Sequence, residues 1–223
     1  MTGFDDPATV SRYAQGTVQR VPGLSALHRM ALLLLGEGAA RDAAMLVVGA
    51  GGGMEIDVFA RARPGWSFDG VDPSAEMLSL ASDVLAPFGE RVRLHEGLVD
   101  VAPEGPFDGS ACLLTLHFVD REERLRTLRE IRRRLKPGAP LVVAHHSFPQ
   151  GENERSLWLS RYAAFAAASG ILAANAENGA VALGERLPLL SPEEDEALIA
   201  EAGFADVSLF YAAFTFRGWV ARA

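Results

Sequence analysis

Leu46-Val47-Val48-Gly49-Ala50-Gly51-Gly52-Gly53-Met54-Glu55 is the stretch on which the fold turns. An apolar run from Ala43 to Val48 breaks into glycines at Gly49, Gly51, Gly52 and Gly53, and a helical pattern follows. A buried strand that bends into a helix without side chains at the bend lets a ligand approach backbone N–H groups. The helix start adds a partial positive charge for the ligand's anionic part. The next apolar run, Phe68 to Val71, ends in Asp72. An acid about twenty residues past the bend, at the tip of the following strand, suits a ribose diol. A dinucleotide fingerprint needs glycines at its first, third and sixth places, and counting from Gly49 the sixth place is Met54. The pattern is G-x-G-x-G, with Glu55 two residues on. A bend that only lets a helix pack on a sheet would carry the same glycines; Asp72 is what favours a nucleotide.

Outward from this stretch the chain alternates. Ala43–Val48 reads as the first strand and Met54–Arg63 as the first helix of the core. Pro64-Gly65 turns the chain into a second strand, Ser67–Asp72, and Pro73 sits at a helix start, where its missing N–H costs nothing. That helix runs from Ser74 to Ala86. Strands are expected at Arg91–Glu96, Phe107–Leu114 and Leu141–His145, with a long helix capped by Asp120 and stopped at Lys136-Pro137-Gly138. Such alternation predicts a parallel sheet covered on both faces, with a ligand beyond the carboxyl ends of the strands at the switch point. Further on, Gly151 to Ser169 reads as one helix and residues 170–190 as irregular. Ser191-Pro192-Glu193-Glu194 is a helix start with a cap, a proline and early acids. Val207–Phe214 and Phe216–Ala221 are spaced as an antiparallel pair. Before the core, Pro7 to Gly16 reads as a short helix, and Leu24, Leu27, Met30, Ala31 and Leu34 recur at helical spacing.

The G-x-G-x-G bend followed by Asp72 resembles the first motif of the class I S-adenosylmethionine (SAM) methyltransferases, and the likeness runs from the first helices to the end of the chain. One departure is Val47, where those enzymes often carry an acid. The resemblance implies an α/β Rossmann-like class I methyltransferase fold: a seven-stranded, mostly parallel sheet with an antiparallel C-terminal hairpin strand and added N-terminal helices. It implies residues 1–40 as an N-terminal helical cap and 41–223 as the SAM-binding domain. On this reading Gly49, Ala50, Gly51 and Gly53 receive the methionine end of the cofactor, and Asp72 with Pro73 holds the ribose. Met77 is either a wall for the adenine face or a core methionine. Leu98 and Val99 border the adenine; Leu98 stands where relatives often have an acid, and Asp100 is a possible substitute. Leu113 and Leu114 end the fourth strand beside the sulfonium. His117 is the candidate catalytic residue, as a general base for an oxygen or nitrogen nucleophile or as a residue that orients the loop.

Within that fold the chain most resembles the carboxy-SAM synthase group, through Val18-Gln19-Arg20-Val21-Pro22-Gly23-Leu24-Ser25, Leu114–Val119, Leu135–Gly138, and the stretch from Glu201-Ala202-Gly203-Phe204 to Phe214-Thr215-Phe216. Those synthases hold an extra carboxylate with an arginine before the last core helix. The comparable stretch here, Asn178 to Leu183, has no basic residue, and Arg186 is offset. A carboxylate left without a charge partner is costly, so plain SAM is the favoured cofactor.

The remaining residues are less specific. His145-His146 follows the fifth strand, and adjacent strand residues face opposite ways, so one of the two is expected to reach the site. Trp158, Arg161, Tyr162 and Phe165 share a helical face, which is either ordinary packing or a substrate wall with Arg161 for an anion. Arg132, Arg133, Arg134 and Lys136 crowd a helix end, where the helix dipole accounts for them; an RNA-backbone contact is the lesser reading. No spaced acid–histidine cluster makes a metal site.

The totals bound the function classes. The chain has 223 residues, enough for one α/β domain with additions. Its single cysteine, Cys112, excludes an internal disulfide framework, and the longest apolar runs are far short of a membrane span, so a cytoplasmic protein is expected. A net charge of −8 argues against broad nucleic-acid binding and leaves a local basic face open. The expected activity is transfer of the SAM methyl group to a small-molecule or RNA acceptor that the sequence does not identify (EC 2.1.1.-), in a chain that the related synthases suggest is a homodimer. The alternatives are a carboxy-SAM synthase-like enzyme and a non-catalytic SAM-binding protein.

Overall fold

The computed structural model describes residues 13–223, with side chains from residue 15 onward. Two helices, α1 (Tyr13–Arg20) and α2 (Leu24–Leu35), precede the sheet. Helix α1 begins inside the short helix expected from Pro7; residues 7–12 lie outside the described residues. The core then runs β1 (Ala44–Val48), α3 (Met54–Ala62), β2 (Ser67–Asp72), α4 (Ala75–Leu85), β3 (Val92–Glu96), β4 (Gly109–Leu113), α5 (Arg121–Arg133) and β5 (Pro140–His146). Helices α6 (Glu152–Ala168), α7 (Ala173–Arg186) and α8 (Pro192–Glu201) follow, and β6 (Ala205–Ala213) and β7 (Phe216–Arg222) close the chain.

The seven strands form one sheet in the order β3-β2-β1-β4-β5-β7-β6. All neighbours from β3 to β5 pair in parallel, and β7 lies antiparallel between β5 and β6. This is the Rossmann-like architecture with an inserted C-terminal hairpin that the resemblance implies. Strand order reverses between β1 and β4, so a crevice opens beyond their carboxyl ends.

Alternation along the strands divides the core. Met45 and Val47 point to one face, where they pack with Leu27, Ala31 and Leu35 of α2 and Ile56 and Phe59 of α3. Leu46 and Val48 point to the other, toward Leu128 and Ile131 of α5 and Leu198 and Ile199 of α8. Helix α2 therefore shares the core of the sheet.

One element departs from expectation. Residues 170–190 contain α7, a helix of 14 residues, where the sequence reads as irregular. Its two glycines and two asparagines lower its propensity. Ala176, Ala180 and Leu183 nevertheless make a buried stripe at helical spacing, and the helix packs along α6. Tertiary packing of one apolar face decides the conformation of a segment whose local preference is weak.

Candidate functional site

The glycine bend is built by close approach. Gly49, Gly51 and Gly53 have φ values of 76°, 45° and 78°, in the left-handed region that side chains disfavour. A Cβ on Gly49 would collide with Thr115, because the tips of β1 and β4 meet there. The N–H groups of Gly49 and Ala50 both donate to the Val71 carbonyl at 2.9 Å, and Gly53 donates to Ala50 at 2.8 Å. Gly51 donates to Asp72 Oδ2 at 2.9 Å. The bend does bring β1 to a ligand-sized crevice. Those four donors, however, are already engaged inside the fold, a correction to the expectation that they face the ligand.

Asp72 ties the two loops together. Its Oδ1 accepts from the Ser74 N–H at 2.9 Å while Oδ2 takes Gly51. Each carboxylate oxygen keeps a second lone pair for a ligand. Burial raises the Asp72 pKa, and the two backbone donors oppose that rise. Ser74 caps α4 by accepting from Met77.

A first cavity joins these parts. Gly49, Gly51, Asp72, Pro73, Met77, Leu98, Val99, Leu113 and Leu114 all line it. Two residues expected there do not. Ala50 is fully buried, its methyl group where a Cβ on Gly70 would clash, and Gly53 sits behind the bend at the start of α3, against Leu85. Asp100 also stays out; its exposed carboxylate pairs with Arg126 at 2.6 Å. Thr115, Phe118 and Val119, in the stretch that continues the end of β4, and Glu123 and Thr127, which the sequence did not point to, close the cavity from the segment after β4. Asp120, the acid-capped start of α5, was the signal that this segment folds back toward the strand tips.

Glu55 lies in the first turn of α3, buried and close enough to Asp72 to feel its charge. Burial first, then Asp72, push its pKa up to about 8, against its own backbone N–H.

A second, larger cavity of about 880 Å³ opens on the other side of Leu114 and Phe118, which line both. Leu114 is a non-glycine residue at φ 59°, its N–H donating to Ala144. The second cavity has an aromatic floor. His146 stacks on Phe216 with ring centroids 3.9 Å apart and meets His117 and Tyr162 edge-on at 4.8 and 5.3 Å. His146 Nδ1 lies 2.9 Å from Thr215 Oγ1, which fixes its ring. Of the adjacent histidines only His146 reaches this cavity; His145 faces the opposite layer, against Trp219 and 3.2 Å from Asp195. The roof comes from α1 and α7. Gln19 of α1 donates to the Ser169 carbonyl at 3.1 Å, and Arg20 and Arg186 stand on the lining.

His117 lies in this second cavity, at the shared wall. It is buried, and its Nδ1 has no hydrogen-bond partner. Burial, then His146, His145 and Arg124, push its pKa well below the ordinary histidine value. Burial and His145 bring His146 down to about 3. Both rings are neutral at neutral pH.

Of the helical face on α6, only Tyr162 lines the cavity. Arg161 is exposed and lies over the Trp158 ring at 4.6 Å, and Phe165 packs on Phe214. Arg161 is thus not placed to receive an anion in this cavity. The basic run at the end of α5 is internally engaged: Arg132 bonds the Gly203 carbonyl, Arg133 pairs with Glu104 and Glu130, Arg134 with Glu130, and Lys136 with Asp108. Among the described residues no group of histidine, cysteine and acidic side chains is arranged to hold a metal, and no helix is long and apolar enough to cross a membrane.

Residues 46–141 match the family model of a methyltransferase domain. No curated protein matches the chain. Many solved structures do. A candidate O-methyltransferase from Nostoc punctiforme aligns at 18% identity with a TM-score of 0.68, covering 97% of this chain and 59% of that one. Human N-acetylserotonin methyltransferase in complex with SAM aligns at 18% identity and TM-score 0.68, covering 98% of this chain and 57% of that one. A SAM-dependent methyltransferase from Aquifex aeolicus aligns at 16% identity and TM-score 0.65, covering 97% and 98%. The chain thus spans under two thirds of the first two relatives and nearly all of the third. At these identities the likeness is one of fold.

Proposed function

We propose that the chain is a SAM-dependent methyltransferase whose donor occupies the first cavity and whose acceptor occupies the second. The observation that carries this is the pair of cavities meeting at Leu114 and Phe118, with the His117 ring on the lining of the second. The family model over residues 46–141, the human relative's complex with SAM and the SAM dependence of the Aquifex relative support the choice of cofactor.

The residues of the first cavity suit this cofactor. The free lone pairs of Asp72 match a ribose diol, Met77, Leu98 and Val99 offer an apolar slot for a flat base, and the side-chain-free bend admits the amino-acid end. When bound, SAM supplies a methyl group on a positively charged sulfur. The remaining work belongs to the chain. Leu114 and Phe118, which line both cavities, would border the point of transfer, and His117 would take up the proton released by a hydroxyl acceptor. Positioning of this kind is worth about 7–11 kcal/mol in favourable cases.

A carboxy-SAM reading needs a cation beside the donor cavity. Among the described residues the lining of that cavity carries no basic side chain, and Arg186 stands on the second cavity. Plain SAM is therefore the preferred donor. In this proposal α1 serves as a cap over the acceptor and residues 41–223 as the donor-binding domain, with α2 built into its core. It includes a homodimer, supported by the exposed Leu33 on α2 and measurable by light scattering.

Calorimetry with S-adenosylhomocysteine tests the reading directly. Micromolar binding that is lost in Asp72→Ala is expected, and no binding at millimolar ligand would overturn it. With radiolabelled SAM, methyl transfer to any acceptor separates an enzyme from a SAM sensor.

A further inference from the structure

The two cavities differ in charge, and the difference points to what the second one takes. The chain has 29 acidic and 21 basic residues. Even so, among the described residues the lining of the second cavity has Arg20 and Arg186 and no carboxylate. Neither arginine has an ion-pair partner among the described residues; Arg20 bonds only the carbonyl of Gly16 on its own helix. In contrast, Arg121, Arg126 and Arg133 on α5 and Arg134 at its C-terminal cap are each matched by an acid. Two unmatched guanidinium groups facing one concavity in an acidic protein focus positive potential there. The floor beneath them is formed by His146, Tyr162 and Phe216, a set of ring faces and edges that suits another flat ring. His117 lines the same cavity next to Phe118, which borders the donor cavity as well.

We infer that the acceptor is an aromatic hydroxy acid, its ring on the His146–Tyr162–Phe216 floor, its hydroxyl at His117 and its carboxylate at Arg186 and Arg20. This rests on the methyltransferase reading. Arg186 binds the anion through the planar fork that guanidinium presents to a carboxylate. Its place on the last turn of α7 explains why the acceptor site requires that helix.

The test uses the whole chain saturated with S-adenosylhomocysteine. A panel of hydroxybenzoates, hydroxyphenylacetates and hydroxycinnamates is titrated, each as the free acid and as its uncharged methyl ester. The expected result is at least one acid bound tenfold or more tightly than its ester, with the gap closing in Arg186→Gln and closing further in Arg20→Gln/Arg186→Gln. Affinity for S-adenosylhomocysteine, measured first in each variant, reports that the donor cavity is intact. Esters binding as well as acids, an acid preference that survives the double variant, or no binding by any member while S-adenosylhomocysteine is bound would each overturn the inference. Failure of S-adenosylhomocysteine itself to bind would instead remove the methyltransferase reading beneath it.

Discussion

The two cavities on either side of Leu114 are built by different means. The first cavity, the proposed donor site, is made of strand tips and the residues just after them, in four segments: 48–51, 71–77, 97–99 and 113–127. Its polar parts are fixed by backbone donors, and its charge is negative: Asp72, together with Glu123, which Arg126 neutralises at 2.5 Å. The second cavity, the proposed acceptor site, is lined by residues of α1, the segment after β4, the end of β5, α6, α7 and the start of β7, and its charge is positive. One is a property of the sheet and the other of the helices laid over it. A fold shared at under 20% identity can therefore keep the first and vary the second.

The largest effect should come from the wall between them. His117→Gln removes the only proton acceptor assigned to the acceptor side, and general bases contribute roughly 10²–10⁴-fold in rate. A fall in kcat of that order is expected, with the affinity for S-adenosylhomocysteine unchanged. Because the His117 pKa lies well below the ordinary value, the ring is already neutral at pH 6. Its contribution should be flat from pH 6 to 8. A rate that follows a titration in that window, lost in His117→Gln, would break the assignment of a neutral base.

Next in size is Asp72→Asn. A hydrogen bond to a charged group is worth about 1.5–3 kcal/mol, so donor affinity should fall roughly ten- to a hundredfold. Asparagine has one carbonyl oxygen where Gly51 and Ser74 each need an acceptor. A lowered melting temperature should accompany the weaker binding. Calorimetry and thermal melts check both, and a variant with native affinity would detach Asp72 from the ligand.

The same contrast explains what could be read in the sequence. The bend at 49–53, Asp72 and the strand alternation are local patterns with backbone causes, and they locate the sheet, the switch point and most of the lining of the first cavity. Ala50 and Gly53 were misassigned because a motif lists positions, whereas the fold turns Ala50 inward against Gly70. The second cavity depends on which helix faces meet, and helical spacing left Trp158, Arg161, Tyr162 and Phe165 as either packing or a substrate wall; all but Tyr162 stay off the cavity, with Arg161 over Trp158, while Arg186, left as offset, stands on its lining. Helix α7 was missed because its only helical signal, Ala176–Ala180–Leu183, is made of small residues until α6 covers them. The buried Arg124–Asp195 pair at 2.5 Å, joining α5 to α8, had no signal in either helix alone.

The pH dependence of stability offers a smaller, opposed pair of effects. Glu55, beside the donor cavity, titrates at about 8 folded and 4.5 unfolded. Between those values the folded state holds a proton that the unfolded state has lost, so stability falls as pH rises, by up to about 1.4 kcal/mol per unit. His28 at about 4, His146 at about 3 and His117 act in the other direction below 6.5, where the unfolded chain takes up protons that the folded one refuses. Three groups outweigh one on the acid side, so stability should peak near pH 6.5–7 (roughly). Glu55→Gln should remove the decline above the peak and leave the acid limb intact, as read from urea unfolding at pH 5, 6.5 and 8. A decline that persists in the variant would show that the group titrating there is not Glu55.

The smallest effect concerns the wall itself. Leu114 at φ 59° stores strain of about 1–3 kcal/mol. At most positions glycine is less stable than alanine, but in the left-handed region the order inverts by about 1 kcal/mol. Leu114→Gly should therefore unfold at a higher temperature than Leu114→Ala, although both lose the same contacts with the two cavities. Both should transfer methyl several-fold more slowly than the native chain while binding S-adenosylhomocysteine equally well, since only the partition has been thinned. If alanine proves the more stable, the backbone at this wall is not strained. If both variants keep the native rate, Leu114 does not guide the methyl, and the two cavities meet through Phe118 alone.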